Sequence, residues 1–535
     1  MASRLIPVLY TSLLSLLALM PVRVAAAAAS CESLATLKLA DTTIAGAALV
    51  PPGPLSVNAA PLGPPSGRAP LVLPAFCRVQ LVVAPAIKIE LWLPTSGWNG
   101  KFEAVGNGGY AGSISYPAMG EALKLGYATA STDTGHEGDA RSAAWALHHP
   151  ELVVDYGYRA VHEMTLKAKR IVEAFYGAAA QISYFNGCST GGRQGLMEAQ
   201  RYPDDYTGIL AGAPANYFTH LQTGASLWVA LATLKDPESY IPPAKLPAIN
   251  EASVAACDSL DGIKDGLINN PRLCKFDPST LLCKGEDSAT CLTSKQLEAL
   301  KKIYSGAHDD HGKEVFPGFM PGDEKNWVAF ITGPAPYKAA VYDLGVDFIK
   351  YMVFDNPNWD FRTWNYEKDT QIPDDKLAAT LNATDPNLRA FRSRGGKLIL
   401  YHGWTDPAIP SMNTVNYYKS VVTTMSAMSA DAAADETEDF IQGVTQVEDF
   451  ARLFMVPGMD HCFGGPGPNT FDAFGALVSW VEHKQAPEKI VASHITSGTV
   501  DRTRPLCPYP MTAQSIGQGS TDDAANFVCK LPDKH

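Results

Sequence analysis

Short apolar runs alternate with stretches of helical spacing along the first part of the chain. Strand-like runs cover Ile87 to Leu93, Phe102 to Val105 and Tyr127 to Ser131, and helical spacing covers Tyr156 to Tyr176. Strands that alternate with helices are typical of a mostly parallel sheet that carries helices on both faces. The pattern therefore predicts an α/β fold built on a doubly wound, mostly parallel sheet.

The regular pattern continues through Thr207 to Ala211, lapses, and then resumes. From about Pro214 to Gly396, proline, tryptophan, cysteine and acidic turns are mixed without a clear period. Apolar runs return at Lys397 to His402 and at Arg452 to Val456. An insertion between two strands of a sheet is the expected form of a lid. The sequence therefore predicts a two-part catalytic domain with a lid domain between its parts, with boundaries at 30–213, 214–396 and 397–535.

The N-terminus has the pattern of a secretory signal peptide. Arg4 precedes a mostly apolar run from Leu5 to Met20, and alanines at 25–29 offer small-residue cleavage sites. We therefore predict a signal peptide at 1–29 and a secreted protein, either extracellular or periplasmic. Lipid attachment at Cys31 is a rival, but a Leu or Val three positions before that cysteine is missing. No later run of 18 apolar residues predicts a membrane span.

Composition and charge exclude some classes of function. Of the 535 residues, 46% are hydrophobic and 18% are charged, and the formal net charge is -12. This is an ordinary globular composition, and the chain has no basic block. Nucleic acid is therefore not an expected partner.

The ten cysteines predict disulfide bonds. An even number of cysteines behind a signal peptide favours five disulfides formed in an oxidising compartment. Sequence alone does not fix the connectivity, and no C-x-x-C pair points to a zinc ribbon or a thioredoxin-like site. Close spacing suggests three local pairs and leaves four cysteines for two more, which gives Cys257–Cys274, Cys283–Cys291, Cys507–Cys529, Cys31–Cys77 and Cys188–Cys462.

The segment Gly187-Cys188-Ser189-Thr190-Gly191 has the G-x-S-x-G pattern of a nucleophile elbow. A strand-like run from Ile182 to Asn186 precedes it, and a helix-like segment from Gly192 to Gln200 follows it. A sharp strand-to-helix turn exposes the serine hydroxyl, which is a poor nucleophile unless a base lies beside it. The alternative is a glycine-rich turn with a capping serine. The strand and the helix on either side favour Ser189 as a nucleophile.

Two later loops supply candidates for the base and for the acid that orients it. Asp406 lies four residues beyond the run that ends at His402, and His461 lies five residues beyond the run that ends at Val456. Doubly wound sheets place their sites at the carboxyl ends of strands, and the order Ser, Asp, His is that of α/β-hydrolases. Alone, each residue is equally well a turn carboxylate or a loop histidine. Together with Ser189 they predict a catalytic triad.

Other residues compete for these roles. His402 ends its strand only four residues before Asp406, which favours capping of the strand or lining of the pocket. His136 is a second rival base and is also a candidate for lining the cleft. Asp460 is not expected to be the acid, because the side chain next to His461 in an extended loop points away from the imidazole.

An oxyanion hole requires two backbone N–H groups. The first donor is expected to be the N–H of Thr190, at the start of the helix after the elbow. The glycine-rich loop at 106–110 follows a strand and is similar to the loop that donates the second N–H in lipases, which favours Gly109. The alternative for this loop is a plain tight turn.

An acidic loop from Asp258 to Leu267 has the composition of a site for a hard cation. It contains three closely spaced carboxylates, and its glycines allow backbone carbonyls to turn inward. A Cys257–Cys274 bridge would clamp it. The spacing is not that of an EF-hand, and two ordinary Asp-Gly turns are the alternative.

Taken together, the motifs resemble the tannase and feruloyl esterase family of α/β-hydrolases. The matching segments run over about residues 30 to 530 and are GNGGYAG, DTGH, GCSTGGRQGLMEAQRYPDDYTGILAGAPA, CDSLDGIKDGLI, YHGWTDPAIP and PGMDHC. The resemblance implies the Ser189–Asp406–His461 triad and a Cys188–Cys462 bridge beside it. It also implies a structural Ca²⁺ in the lid, held by Asp258, Asp261 and Asp265 and by the carbonyls of Ile263 and Leu267.

The resemblance implies a serine carboxylesterase that acts on small esters of phenolic acids. Family substrates include feruloyl esters on plant polysaccharide, galloyl esters of polyphenols and, in one branch, mono(hydroxyethyl)terephthalate. No residue assigns the acyl group, and Trp228 and Phe330 are guesses for aromatic side chains of the lid that select it. A serine peptidase and a non-catalytic binding protein of hydrolase fold are the alternatives. Asn382 begins a glycosylation sequon that matters only in a eukaryotic host.

Overall fold

A computed structural model of the protein describes residues 29–55, 71–428, 436 and 438–532. The predicted signal peptide at 1–29 lies outside these residues except for its last position, so its cleavage stays a prediction. In the described ranges no helix has both the length and the apolar character that a membrane crossing requires.

A nine-stranded sheet forms the centre of the molecule. Its strands are β1 Thr42–Val50, β2 Phe76–Val83, β3 Ile87–Pro94, β4 Lys101–Val105, β5 Ala128–Thr132, β6 Ile182–Cys188, β7 Gly208–Gly212, β8 Lys397–Gly403 and β9 Ala451–Val456. They lie in the order β1-β2-β3-β5-β4-β6-β7-β8-β9. The pairs β1–β2, β2–β3 and β3–β5 are antiparallel. The other neighbouring pairs are parallel, namely β5–β4, β4–β6, β6–β7, β7–β8 and β8–β9. The predicted α/β class and mostly parallel sheet are confirmed.

Each predicted strand from β3 to β5 and from β7 to β9 begins and ends within one residue of its observed bounds. The antiparallel strands β1 and β2 were not predicted. In β2 the side chains of Arg78 and Gln80 both donate hydrogen bonds to Glu90 of β3. These polar side chains interrupt the apolar run that marks the other strands, although β2 has buried positions along its length.

Helices cover both faces of the sheet and also build the insertion. The helices of at least eight described residues are α1 Tyr116–Lys124, α2 Ala160–Tyr176, α3 Thr190–Arg201, α4 Leu246–Cys257, α5 Ser294–Ser305, α6 Ala340–Asp347, α7 Gln371–Leu381, α8 Met412–Ser426, α9 Glu438–Val447 and α10 Ala473–His483. A π-helical segment, Asp155–Arg159, precedes α2. Helical structure therefore covers the whole stretch over which helical spacing was predicted.

The segment between β7 and β8, residues 213–396, is the predicted insertion. It contains α4 to α7, several short helices and a small pair of strands, Ala307–His308 and Glu314–Phe316. Its buried residues form a hydrophobic cluster that also includes residues of the sheet domain. Phe218 of the insertion contacts the rings of Tyr110 and Tyr156 at centroid distances of 6.1 and 5.8 Å. The insertion is thus packed on the sheet domain, while its role as a lid stays a prediction.

Five disulfide bonds join the ten cysteines. The pairs are Cys31–Cys77, Cys188–Cys462, Cys257–Cys274, Cys283–Cys291 and Cys507–Cys529. The connectivity is the one suggested by spacing. The Cys507–Cys529 bond joins the end of one C-terminal hairpin, Ile490–Leu506, to the next, in which Thr512–Ser515 pairs with Phe527–Lys530.

Candidate active site

Ser189 lies in a strained turn between β6 and α3. Its backbone has φ 63° and ψ -124°, a conformation that non-glycine residues rarely adopt. Two hydrogen bonds hold the turn, from Ser189 N to the Gly212 carbonyl at 3.0 Å and from Ala215 N to the Ser189 carbonyl at 3.1 Å. The residue is half-buried, and its hydroxyl makes no hydrogen bond with any described residue. This is the geometry of a nucleophile elbow.

The turn is possible only because the backbone segments around it are in very close contact. A Cβ atom on Gly187 would lie 2.6 Å from the carbonyl carbon of Gly191, and one on Gly106 would lie 2.6 Å from the Gly191 Cα. Such distances are too short for any side chain. The glycines of the G-x-S-x-G pattern therefore allow β6, α3 and the loop after β4 to meet at Ser189.

The two predicted oxyanion donors belong to two of the segments that meet at Ser189: Thr190 begins α3, and Gly109 lies in the loop after β4. Thr190 Oγ1 and the Tyr156 hydroxyl both donate to the Gly109 carbonyl, at 2.6 and 2.9 Å, which turns that carbonyl toward α3. The N–H groups of Gly109 and Thr190 donate to no acceptor among the described residues. For Thr190 this is expected, because the first N–H of a helix has no partner within the helix. The structure thus brings both predicted donors to the elbow.

The glycine-rich loop is held by side chains that sequence analysis did not identify. Asn107 N donates to Gln194 Oε1 at 3.0 Å, and Gln194 Nε2 donates back to Asn107 Oδ1 at 3.0 Å. Gly109 has φ 54°, and a Cβ atom there would lie 2.1 Å from the Ala140 carbonyl oxygen. Gln194 lies on α3, one turn beyond Ser189, so the nucleophile and the loop are fixed to the same helix.

Asp406 and His461 are in direct contact. His461 Nδ1 lies 2.7 Å from Asp406 Oδ2, and the Asp406 side chain is fully buried whereas that of His461 is 13% exposed. Backbone N–H groups of Ala408 and Ile409 donate to Asp406 Oδ1 at 2.7 and 2.9 Å. Burial by itself would raise the pKa of Asp406, but the charge of His461 and hydrogen bonds from His402 and His461 hold that pKa well below its ordinary value. Asp406 is therefore an anion that orients His461.

The Cys188–Cys462 disulfide joins the residue before Ser189 to the residue after His461. The Cα atoms of the two cysteines lie 6.0 Å apart. The turn that contains Ser189 is thereby bonded to the loop that contains His461, although 274 positions separate the two cysteines in sequence. Because Asp406 holds Nδ1 of the imidazole, Nε2 is the nitrogen that remains for Ser189.

The rival residues take other positions. His136 is buried, and its Nε2 lies 2.8 Å from the Tyr110 carbonyl while its ring stacks on Trp145 at 3.7 Å. Burial lowers the pKa of His136 to about 4, so it stays neutral. His402 is fully buried and contacts Asp406 through Nε2 at 3.0 Å. The sequence did not predict this contact, and its only signal was the spacing of four residues.

Asp460 does not contact His461 and instead faces the insertion. Asn326 Nδ2 donates to Asp460 Oδ2 at 3.1 Å and to Asp323 Oδ2 at 2.6 Å, so one amide nitrogen joins two carboxyl groups. Each carboxyl also has one buried oxygen without a hydrogen-bond partner. Burial, followed by the negative charge of Asp323, raises the pKa of Asp460. Asp460 therefore keeps its proton to a higher pH than an ordinary carboxyl does.

Of the two guessed aromatic residues, only Phe330 contacts the triad. Its ring meets the imidazole of His461 edge to face, with centroids 5.5 Å apart. Phe330 belongs to the insertion, so the insertion reaches the base. Trp228 packs instead against Tyr366 and donates its Nε1 hydrogen to the Lys302 carbonyl at 2.7 Å.

The acidic loop offers Ca²⁺ some oxygen atoms that are already bonded to other residues and some that are not. Asp258 is buried and accepts hydrogen bonds from Asp265 N and Gly266 N, while Asp265 pairs with Arg504 at 2.7 Å. The carbonyl oxygens of Ile263 and Leu267 accept no hydrogen bond from described residues. Free carbonyls beside carboxylates are the hard oxygen donors that Ca²⁺ prefers.

The three aspartates of this loop are not gathered as metal ligands are. In the described part of the chain, only two groups of potential ligands lie within 4.8 Å of one another, and neither contains them. One group includes the disulfide-bonded Cys283 and Cys291, and the other is His162, Glu198 and Asp205. The donor chemistry of the loop thus fits a hard cation, while the calcium site stays a prediction.

Comparisons with known proteins identify the family of the chain. The family model described as tannase and feruloyl esterase matches residues 72–530. An uncharacterized esterase of Xanthomonas campestris pv. campestris is 39% identical over 94% of this chain and 92% of its own. A probable feruloyl esterase B-1 of Aspergillus oryzae is 32% identical over 85% of this chain and 84% of its own.

A solved structure is also similar to this chain. The crystal structure of feruloyl esterase B from Aspergillus oryzae superposes with a TM-score of 0.83 at 31% identity and covers 94% of this chain and 99% of its own. The family match spans most of the chain, and the relatives align over nearly their full length. The chain therefore belongs to the tannase and feruloyl esterase family of carboxylic ester hydrolases.

Proposed function

We propose that this chain is a secreted serine esterase that hydrolyses esters of phenolic aromatic acids through an acyl-enzyme. The observation that carries the proposal is the His461–Asp406 contact, joined by the Cys188–Cys462 bond to the strained turn of Ser189. An imidazole held by a buried carboxylate and tied to the turn of a serine is the arrangement that serine hydrolases use.

In the first half of the reaction Ser189 Oγ attacks the ester carbonyl carbon. His461 Nε2 takes the hydroxyl proton, and the Asp406 carboxylate stabilises the imidazolium that forms. The negative charge that develops on the carbonyl oxygen is met by the N–H groups of Thr190 and Gly109. His461 then gives its proton to the leaving alcohol, and the acyl group stays on Ser189.

In the second half a water molecule replaces the alcohol. His461 Nε2 removes a proton from the water as it attacks the acyl carbon, and the same N–H groups stabilise the second tetrahedral intermediate. Collapse of that intermediate breaks the bond to Ser189 Oγ, which recovers its proton from His461. The products are the free acid and the unmodified enzyme.

The proposed acyl group is aromatic, of the feruloyl or galloyl type. Relatives named feruloyl esterase support this class, and Phe330 places an aromatic ring beside the base. Such esters occur on plant polysaccharides and polyphenols, which a secreted enzyme would meet outside the cell. The five disulfides support secretion, because such bonds persist in oxidising compartments. A mono(hydroxyethyl)terephthalate-like ester is the alternative substrate.

The proposed Ca²⁺ would serve the insertion and take no part in the chemistry. Its ligands would be the carboxylates of Asp258, Asp261 and Asp265 and the carbonyls of Ile263 and Leu267. The ion would supply charge neutralisation and a fixed loop conformation next to the Cys257–Cys274 bond.

Substitution of the nucleophile tests the mechanism. Ser189→Ala should lower kcat on methyl ferulate by several orders of magnitude while the circular dichroism spectrum is unchanged. A phosphonate probe should label Ser189 in the native protein and nothing in the variant. Normal turnover by Ser189→Ala would overturn the proposal.

A substrate panel tests the acyl assignment and the alternatives. Methyl ferulate, methyl gallate, mono(hydroxyethyl)terephthalate, a short alkyl ester and a peptide amide should be compared under one condition. Turnover of the aromatic esters without the amide supports an esterase over a peptidase. Cleavage of the alkyl ester alone would refute the aromatic assignment and leave the triad in place, and a lack of labelling at Ser189 would favour a non-catalytic binding protein.

A further inference from the structure

A second histidine contacts the carboxylate of the triad. His402 lies at the end of β8 and is fully buried. Its Nε2 is 3.0 Å from Asp406 Oδ2, the same oxygen that His461 Nδ1 contacts at 2.7 Å. Asp406 Oδ2 therefore receives two imidazole donors, and Asp406 Oδ1 receives the two backbone donors described above. Four donors satisfy a carboxylate completely.

The surroundings of His402 fix which ring nitrogen carries its proton. Nε2 faces two acceptors, Asp406 Oδ2 and the Ile409 carbonyl at 3.1 Å, so Nε2 must be the donor. Nδ1 lies 2.7 Å from Thr414 Oγ1 of α8, and that hydroxyl can donate to it. A neutral imidazole with its proton on Nε2 satisfies every one of these contacts.

We propose that His402 is a positioning residue of the triad, which holds Asp406 toward His461 and shares its negative charge. The proposal rests on the proposed esterase function. A donor on Oδ2 prevents rotation of the carboxylate away from His461. It also draws off part of the charge that would otherwise stabilise protonated His461, so the base stays less basic than it would be beside a carboxylate with a single imidazole donor.

The electrostatic consequence depends on the charged groups around Asp406. His402 from β8 and His461 from the loop after β9 both lower the pKa of Asp406. The charge of Asp406 in turn raises the pKa of Asp460, which lies in the same loop as His461. The two imidazoles in contact with Asp406 therefore determine how much charge the carboxylate carries toward His461. Loss of the His402 donor should therefore leave more of the negative charge of Asp406 facing His461.

Two substitutions at position 402 test the proposal. His402→Leu removes the donor, whereas the amide of His402→Gln can still donate to Asp406 and accept from Thr414. For His402→Leu we expect kcat on methyl ferulate to fall about ten- to hundredfold with KM nearly unchanged, because misplacement of the catalytic geometry acts on the chemical step. The acidic limb of its kcat/KM profile should move up by about 0.5 pH unit or more. His402→Gln should recover most of both effects.

A second site separates positioning from loss of folding. Thr414→Val removes the hydroxyl that fixes the tautomer of His402, and Thr414→Ser keeps it. Thr414→Val should show a smaller change of the same kind, and Thr414→Ser should resemble the native protein. His220→Gln is the matched control, because His220 contacts Asp374 at 2.8 Å in the insertion without touching Asp406. It should leave the acidic limb in place.

The outcomes are distinct from those that test the triad itself. A native kcat and an unmoved acidic limb in folded His402→Leu and Thr414→Val would overturn the positioning role. Equal effects of His402→Leu and His402→Gln would also overturn it, because the amide restores the donor. Activity that survives in Ser189→Ala would instead refute the esterase mechanism on which the proposal rests.

Discussion

The raised pKa of Asp460 should make stability depend on pH in a direction opposite to that of an ordinary carboxylate. Asp460 is protonated in the folded protein, because burial and then the charge of Asp323 raise its pKa. In the unfolded chain the same group loses its proton near pH 3.9. Above that pH the folded state binds one proton more than the unfolded state. The free energy of unfolding contributed by Asp460 therefore falls as pH rises, until the pH reaches the raised pKa.

The size of this effect follows from one proton. A difference of one bound proton changes the free energy of unfolding by about 1.4 kcal/mol per pH unit. Between pH 5 and pH 7 the native protein should lose about 3 kcal/mol through this pair. The side chain of Asp460→Asn cannot ionise, and its new amide can donate a hydrogen bond to Asp323. The variant should therefore not lose this free energy of unfolding. Buried acids elsewhere, such as Glu103 with its pKa raised to about 8 by burial, are the same in both proteins and cancel in the comparison.

Urea denaturation at pH 5, 6 and 7, with Ca²⁺ held constant, measures the difference. We expect the native and Asp460→Asn proteins to be similar at pH 5 and to diverge by about 3 kcal/mol at pH 7, with the variant the more stable. Asp501→Asn is the control, because Asp501 is a surface carboxylate whose pKa is lowered, chiefly by its hydrogen bonds with Thr496 and His494. Equal slopes for the native and Asp460→Asn proteins would show that Asp460 does not keep its proton in the folded state.

Three further predictions concern the elbow and the acidic loop. Replacement of both Cys188 and Cys462 by alanine should lower kcat more than it lowers secretion, and chain entropy sets an upper limit of about 6 kcal/mol on the lost stability, which calorimetry would measure. Gly109→Ala should lower kcat at least about tenfold by displacing the Ala140 carbonyl and one oxyanion donor, and a native kcat would remove Gly109 from the oxyanion hole. Chelation of Ca²⁺ should lower the Tm without abolishing turnover of a small aryl ester. A metal analysis that finds no calcium in native protein, together with an unchanged Tm in Asp261→Asn, would rule out the site.

The parallel part of the sheet could be predicted because most of its strands are buried on both faces. Such strands appear in sequence as unbroken apolar runs, as in Lys397 to His402 and Arg452 to Val456, and they fix the loops that follow. Ser189, Asp406 and His461 lie within five residues of the ends of strand-like runs. The chain order of the triad was therefore readable without knowledge of any contact.

Contacts between distant segments could not be predicted in the same way. The polar side chains of β2 are explained only by Glu90 on the adjacent strand, and the carboxyl of Asp460 is explained only by Asp323 in the insertion. The contact between His402 and Asp406 is local in sequence, but it depends on the turn after β8 and on Thr414 of α8. Hydrogen bonds of this kind leave no period in a sequence.

The Cys188–Cys462 bond has a consequence for proteolysis. All of the insertion lies between these two cysteines, so a cut in any of its exposed loops leaves two fragments that remain covalently joined. The fragment that ends in the insertion retains Ser189, and the other retains both Asp406 and His461. The bond that joins them lies immediately beside the nucleophile and the base, and parallel pairing of β7 with β8 holds the two fragments in one sheet. An extracellular protease that cleaves a loop of the insertion would thus produce a two-chain protein. In that protein Ser189 and His461 would each still lie within a few ångströms of the disulfide that joins the two chains.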